Sequence, residues 1–180
     1  MMVAAMMMAG ACKEKKQPED IITTSFVPQQ LQAPIAMTVD SQTVEVKWMD
    51  KPYLVKIVRQ PIDSLMVRDD SGQEYVDNLV RLSIIRQDGS AFLSKTFTKA
   101  AFSSYVQDPF RRMGVLGGIQ FDEVSGQNLK FSVVIGMPDA IDDVFIPLEM
   151  TIDGQGGLGI RQTDDMDLRD DERVIEAEGV

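Results

Sequence analysis

The stretch Leu129-Lys130-Phe131-Ser132-Val133-Val134-Ile135-Gly136 sets an apolar side chain at every second residue. That period constrains the chain more than any other feature in it. Successive side chains of an extended strand point to opposite faces, so a period of two puts one set on a core and the other toward solvent or a second layer. The same pattern recurs in Val44, Val46 and Trp48, in Tyr53, Val55 and Ile57, in Val80, Leu82 and Ile84, and in Leu93 and Phe97 around Lys95. It returns in Val144, Ile146, Leu148, Met150 and Ile152. Turn chemistry separates these runs: Met49-Asp50-Lys51-Pro52, Asp69-Asp70-Ser71-Gly72, Asp88-Gly89, Ser125-Gly126-Gln127-Asn128, and Asp153-Gly154-Gln155-Gly156-Gly157. Strands joined by such short loops run antiparallel.

One segment breaks the period. Thr98 is a good N-cap residue, and Phe102, Tyr105 and Val106 then fall at i, i+3 and i+4, one face of a short helix that Pro109 ends. A second turn is expected from Phe110 to Met113, before Gly114. The expected fold is mainly β: an antiparallel β-sandwich or partly open barrel of about eight strands, with one short helix at about 99–107. The strands occupy a single β-rich domain, 35–163. An acidic tail, 164–180, follows it and reads as disordered.

Composition then narrows the chemistry. The chain of 180 residues has no histidine and one cysteine. It therefore lacks the commonest general base and transition-metal ligand, and it can form neither an internal disulfide nor a multi-cysteine zinc site. The net charge is −10, and the tail 164–180 holds −6 of it, leaving −4 for the rest. An acidic chain repels phosphate backbones, so nucleic acid is not an expected partner. No apolar run approaches the ~20 residues of a membrane-spanning helix.

The lone Cys12 follows Ala9-Gly10-Ala11 and an apolar run of Met, Val and Ala. A catalytic thiol needs a neighbour to lower its pKa, and there is no histidine to do so. A free surface thiol is the plain alternative. Small residues just before a cysteine fit a lipoprotein signal instead, with residues 1–11 as signal peptide and Cys12 as the site of lipid attachment. Ala9 stands where leucine is usual and no basic residue precedes the run, which raises the expectation of a leader that begins upstream of Met1. Residues 12–34 are polar and unpatterned and read as a flexible tether.

The other chemical candidates read first as structure. Asp69-Asp70-Ser71-Gly72 and Asp139 to Asp143 carry oxygen ligands but lack calcium-loop spacing, so a turn and a solvated loop are expected. Gly114-Val115-Leu116-Gly117-Gly118 lacks the GK[ST] of a phosphate loop and reads as a bend. Trp48, Tyr53 and Tyr75 could line a pocket, but aromatics on alternating strand faces are usually core. No catalytic residue, metal ligand or cofactor is expected.

The stretch FLSKTFTKAAFSSYV (92–106), the hairpin after it, and IRQTDDMD (160–167) resemble the small Bacteroidota lipoproteins of the domain-of-unknown-function 4738 family. The likeness runs from about Cys12 to Asp167. It implies a lipidated envelope protein and no particular activity. Surface export in such bacteria goes with acids just after the cysteine. Lys13-Glu14-Lys15-Lys16 is net basic, so the expected place is the periplasmic face of the outer membrane. Three functions compete. The first is a non-catalytic module, not an enzyme, binding a protein or small molecule while Cys12 holds the membrane. The others are a carboxylate-dependent glycan hydrolase and a structural spacer or assembly subunit.

Overall fold

The computed structural model describes residues 32–163. The leader, Cys12, most of the expected tether and the tail 164–180 lie outside the described residues. Among the described residues, nine strands form two sheets. The first contains β1 (Ile35–Ala36), β2 (Asp40–Trp48), β3 (Lys51–Arg68), β4 (Glu74–Arg86) and β5 (Ala91–Thr98). The second contains β6 (Val115–Ser125), β7 (Asn128–Gly136), β8 (Phe145–Asp153) and β9 (Leu158–Gln162) in that order. β3 lies between β2 and β4, and the far edge of β4 is shared. β1 pairs there in parallel at Tyr75 and Val76, and β5 antiparallel from Leu79 to Ile85. All pairing in the second sheet is antiparallel.

Six of these strands are the ones the alternation marks, β6 and β9 bring the number to the eight expected, and the ninth, β1, is a two-residue pairing. Each apolar series keeps the face its period assigns, except that Val144 is exposed and lies just before β8. Trp48, Val55, Leu82 and Ile84 from the first sheet meet Phe131, Leu148 and Met150 from the second in one buried core. Burying each such side chain contributes roughly 1.5–3 kcal/mol. Among the described residues the two sheets share no strand pairing, so the fold is a sandwich and not a closed barrel.

Several expectations shift in detail. The β2–β3 turn is only Met49-Asp50, both at positive φ (50° and 60°), as a tight two-residue hairpin requires. Lys51 and Pro52 already belong to β3, with Pro52 near its start, where a missing N–H costs least. The helix at 99–107 is a 3₁₀-helix, Lys99–Tyr105. Thr98 sits at its N-cap in extended conformation but makes no side-chain capping bond. Phe102 is fully buried and stacks on Phe97 at 5.9 Å, and Val106 is buried too. Tyr105 is 38% exposed, because Val106 is already extended and the three residues never share one α-helical face. Pro109 does not end this helix. It caps the start of a second, α1 (Phe110–Met113). The 3₁₀-helix bridges the sheets, touching β4 and β5 on one side and β9 on the other.

Candidate functional site

The largest departure from the sequence pattern builds a cleft between two acidic loops. Alternation marks a strand from Tyr53 to Val58 and another from Val80, but the hairpin runs on to Arg68 and resumes at Glu74. The register slips between Pro61 and Met66, which lets β3 pass Pro61 and continue. Pairing then recovers at Met66–Val76, Val67–Tyr75 and Arg68–Glu74. This extension projects past the main core and carries its own small one, Val67, Tyr75 and Val115, with Met37 and Ile141 packed on it.

At its tip, Asp69 organises the turn. Its carboxylate accepts from Ser71 Oγ at 2.7 Å, from the Gln73 backbone N–H at 2.9 Å and from the Tyr75 hydroxyl at 3.3 Å. Gly72 supplies the positive φ of 91°. The Ser71 hydrogen bond, with the smaller help of the Gln73 and Ser71 backbone and Tyr75, holds the Asp69 carboxyl below its ordinary range against some desolvation. Tyr75 is pushed up, chiefly by burial and then by the charges of Asp69 and Asp139. Asp139 comes from the β7–β8 loop, so two loops expected only as a turn and a solvated loop both act on Tyr75 and line one cleft with it.

Between them lies a cleft of about 610 Å³. Asp69, Asp70 and Asp139 supply its charge, and Ile35, Met113, Met137 and Pro138 its apolar wall. Gln32 completes the lining beside the buried Gln73. The Gln73 amide accepts from the Gln32 N–H at 2.8 Å and donates to the carbonyls of Gln32 and Ala33, both at 3.2 Å. One wall is therefore the last described stretch of the expected tether. Arg112 meets Asp70 at the rim at 3.3 Å. Such a lining suits a ligand with a positive or donor-rich group on an apolar body. Among the described residues no cluster of His, Cys, Asp or Glu could hold a metal ion. Asp69 is occupied by its own turn.

A second polar assembly joins the two sheets. β7 covers one edge of β6, and side chains of the first sheet satisfy the other edge in place of a strand. Asp77 accepts from the Leu116 N–H at 2.8 Å and from the Asn78 N–H at 2.7 Å. Asn78 donates to the Leu116 carbonyl at 2.9 Å, and Gln42 accepts from the Phe121 N–H at 3.0 Å. Arg59 donates to the Gly117 carbonyl and Lys99 to that of Gly114. Burial pushes the Asp77 carboxyl up, against the lowering effect of its two N–H donors and of Lys99. Burial likewise pushes Lys99 down, and Asp77 opposes that. The raised carboxylate, Asp77, does not line the 610 Å³ cleft that holds Asp69.

The remaining candidates find structural places. Trp48 is fully buried, meets Tyr53 and Phe92 at 5.2 and 5.1 Å, and donates to the Gln127 carbonyl at 3.1 Å. Tyr75 both packs and lines the cleft. In the glycine-rich run, Gly114 caps α1 and Gly117 sits where the β6–β7 register slips, which is the expected bend. The outward face of the second sheet forms an open groove of about 770 Å³, in which Glu149 and Arg161 pair through two bonds of 2.8 and 2.9 Å. Cys12, the one site residue the sequence names, lies outside the described residues. Nothing in the alternation announces the cleft. The readable trace was Asp69-x-Ser71-Gly72, a turn whose acid is held by its own hydroxyl.

The model of the family described as "Domain of unknown function (DUF4738)" matches residues 20–160. No curated protein matches the chain.

Proposed function

The chain belongs to the DUF4738 family, a domain of unknown function, and from that premise we propose that it is a lipid-anchored envelope protein whose β-sandwich binds a partner without chemistry of its own. The observation that carries this reading is the grip of Gln73 on Gln32 and Ala33. It makes the end of the tether one wall of the cleft, so the binding face and the route to the anchor share residues. The anchor is Cys12, supported by the small residues Ala9-Gly10-Ala11 before it. The basic Lys13-Glu14-Lys15-Lys16 supports the periplasmic face of the outer membrane.

The carboxylates favour binding over hydrolysis. A hydrolase of this composition needs an acid and a base in one cleft, with pKa values pushed apart. Here Asp69 is lowered inside the cleft and Asp77 is raised outside it.

Two experiments test the proposal in its native envelope. Cys12→Ser is expected to release the protein from the membrane fraction and change its electrophoretic mobility; unchanged behaviour overturns the anchor. A photo-crosslinking residue at Ser71, in the cleft, is expected to capture a partner that the same residue at Lys56, on the outer face of the first sheet, does not. Equal capture at both positions, or turnover of a glycan abolished by Asp69→Asn, overturns the binding reading.

A further inference from the structure

Arg59 is a half-buried cation whose charge the described residues leave without a contact partner. It stands on β3 directly across from Asp40 on β2. Yet none of the ion pairs among the described residues includes it. Its two hydrogen bonds among the described residues run to neutral acceptors, Nη1 to the Gly117 carbonyl and Nη2 to the Thr38 carbonyl at 3.2 Å. Its Nε is buried and has no hydrogen-bond partner among the described residues. A guanidinium has five N–H donors, so each terminal nitrogen keeps one donor beyond these bonds. Buried charges in folded proteins are paired or hydrogen-bonded throughout, because desolvating an uncompensated ion is costly.

The space around this group is open on both sides. A cavity of about 200 Å³ lies toward β2, lined by Asp40, Ser41 and Gln42. Another of about 270 Å³ lies toward β7 and the β7–β8 loop. Arg59, Gly117, Gly118 and Gln120 border both. A Cβ at Gly118 would stand 3.8 Å from Arg59 Nη1, so any longer side chain there would grow across the guanidinium. The larger cavity adds an apolar wall of Met37, Val134, Ile141 and Phe145, and the neutral polar groups of Gln120 and Ser132. Asp142 is its one acid and Asp40 that of the smaller cavity; both oppose an anion.

We propose that the 270 Å³ cavity is a binding site for a carboxylate borne on a small apolar group, with Arg59 as its counter-ion. A planar fork of donors matches a carboxylate better than a spherical or tetrahedral anion. The apolar wall takes the body of the ligand, and the volume limits it to a short-chain acid or the last residue of a peptide. The site shares no lining residue with the 610 Å³ cleft, so it stands whether or not that cleft binds a partner.

Calorimetry and nitrogen-15 NMR on the full chain test it. The probes are butyrate, a short peptide ending in free valine, the same peptide amidated, and sodium chloride at matched ionic strength. Butyrate is expected to bind and shift the Arg59 Nε–H resonance. Arg59→Lys, which keeps the charge and loses the fork, is expected to weaken binding about tenfold, a difference of about 1.4 kcal/mol, while the thermal midpoint shows that the variant is folded. Asp40→Asn is expected to strengthen binding by removing a competing charge. Binding of the free peptide as well as butyrate identifies a peptide terminus as an acceptable source, and butyrate alone identifies a free acid. Equal binding of the amidated peptide, equal shifts with chloride, or an Arg59→Lys affinity unchanged from wild type overturns the proposal.

Discussion

Asp77 provides the sharpest test of how the two sheets are held together. One of its carboxylate oxygens accepts two buried backbone N–H groups, those of Leu116 and Asn78. Asp77→Ala strands both donors. Each buried unsatisfied group costs about 1–3 kcal/mol, and relief from burying a carboxylate offsets part of that, so a loss of about 2–4 kcal/mol is expected. Asp77→Asn keeps an oxygen acceptor in the same place and removes the charge whose burial raises the pKa, so it should stay within about 1 kcal/mol of wild type. With a urea slope of about 2 kcal/mol per molar, the alanine variant should unfold at a midpoint about 1–2 M lower. The pH dependence has a definite sign. Because the folded pKa of Asp77 is raised, its contribution is full below the ordinary carboxylate pKa and is lost as pH rises through the folded value. The stability of wild type relative to Asp77→Asn should therefore fall as pH rises from the acid end through the carboxylate range, then level off. Urea titrations of the three proteins across that range decide it. Equal destabilisation by alanine and asparagine would refute the reasoning, since the charge and not the acceptor would then matter. So would an alanine cost below about 1 kcal/mol.

Phe131 is fully buried between the sheets, and Phe131→Ala should cost about 3–5 kcal/mol in the same assay. At Gly114 an added Cβ would stand 2.5 Å from the backbone oxygen of Phe110, so Gly114→Ala should cost about 1–3 kcal/mol and loosen α1, read by amide exchange at Met113. Gln73→Ala removes the clamp on Gln32 and Ala33 and should raise amide exchange at 32–36 while Leu82 and Phe131 stay protected.

Much of the architecture can be read along the chain, and the reason is local. Whether a residue such as Val133 or Met150 faces the core depends on the two-residue period of its own strand, and whether the chain reverses at Gly89 or Gly126 depends on a positive φ that glycine permits. Those properties belong to neighbours in sequence, and the structure keeps those faces except at Val144, which is exposed and precedes β8. The short helix was legible as an interruption of the period but not as a 3₁₀ winding, because the spacing of Phe102 and Val106 also fits an α-helical face. The extension of β3 past Pro61 was hidden, since a proline and the polar Asp63-Ser64 look like the end of a strand, and only pairing with β4 carries the strand through.

The choice between sandwich and barrel and the location of a cleft depend on which distant segments meet. A period of two says which face is apolar and nothing about which strand lies alongside. Asp77, Asn78, Gln42 and Arg59 read as ordinary strand residues until β6 presents an unpaired edge to them. Asp69 and Asp139 read as a turn and a loop until the folded hairpin brings both charges to Tyr75. The sequence by itself determined the strands, their buried faces and the resemblance to a family. Tertiary structure alone decided the seam, the cleft and the surroundings of Arg59, because hydrogen bonds and charges act through space between residues that the chain holds far apart.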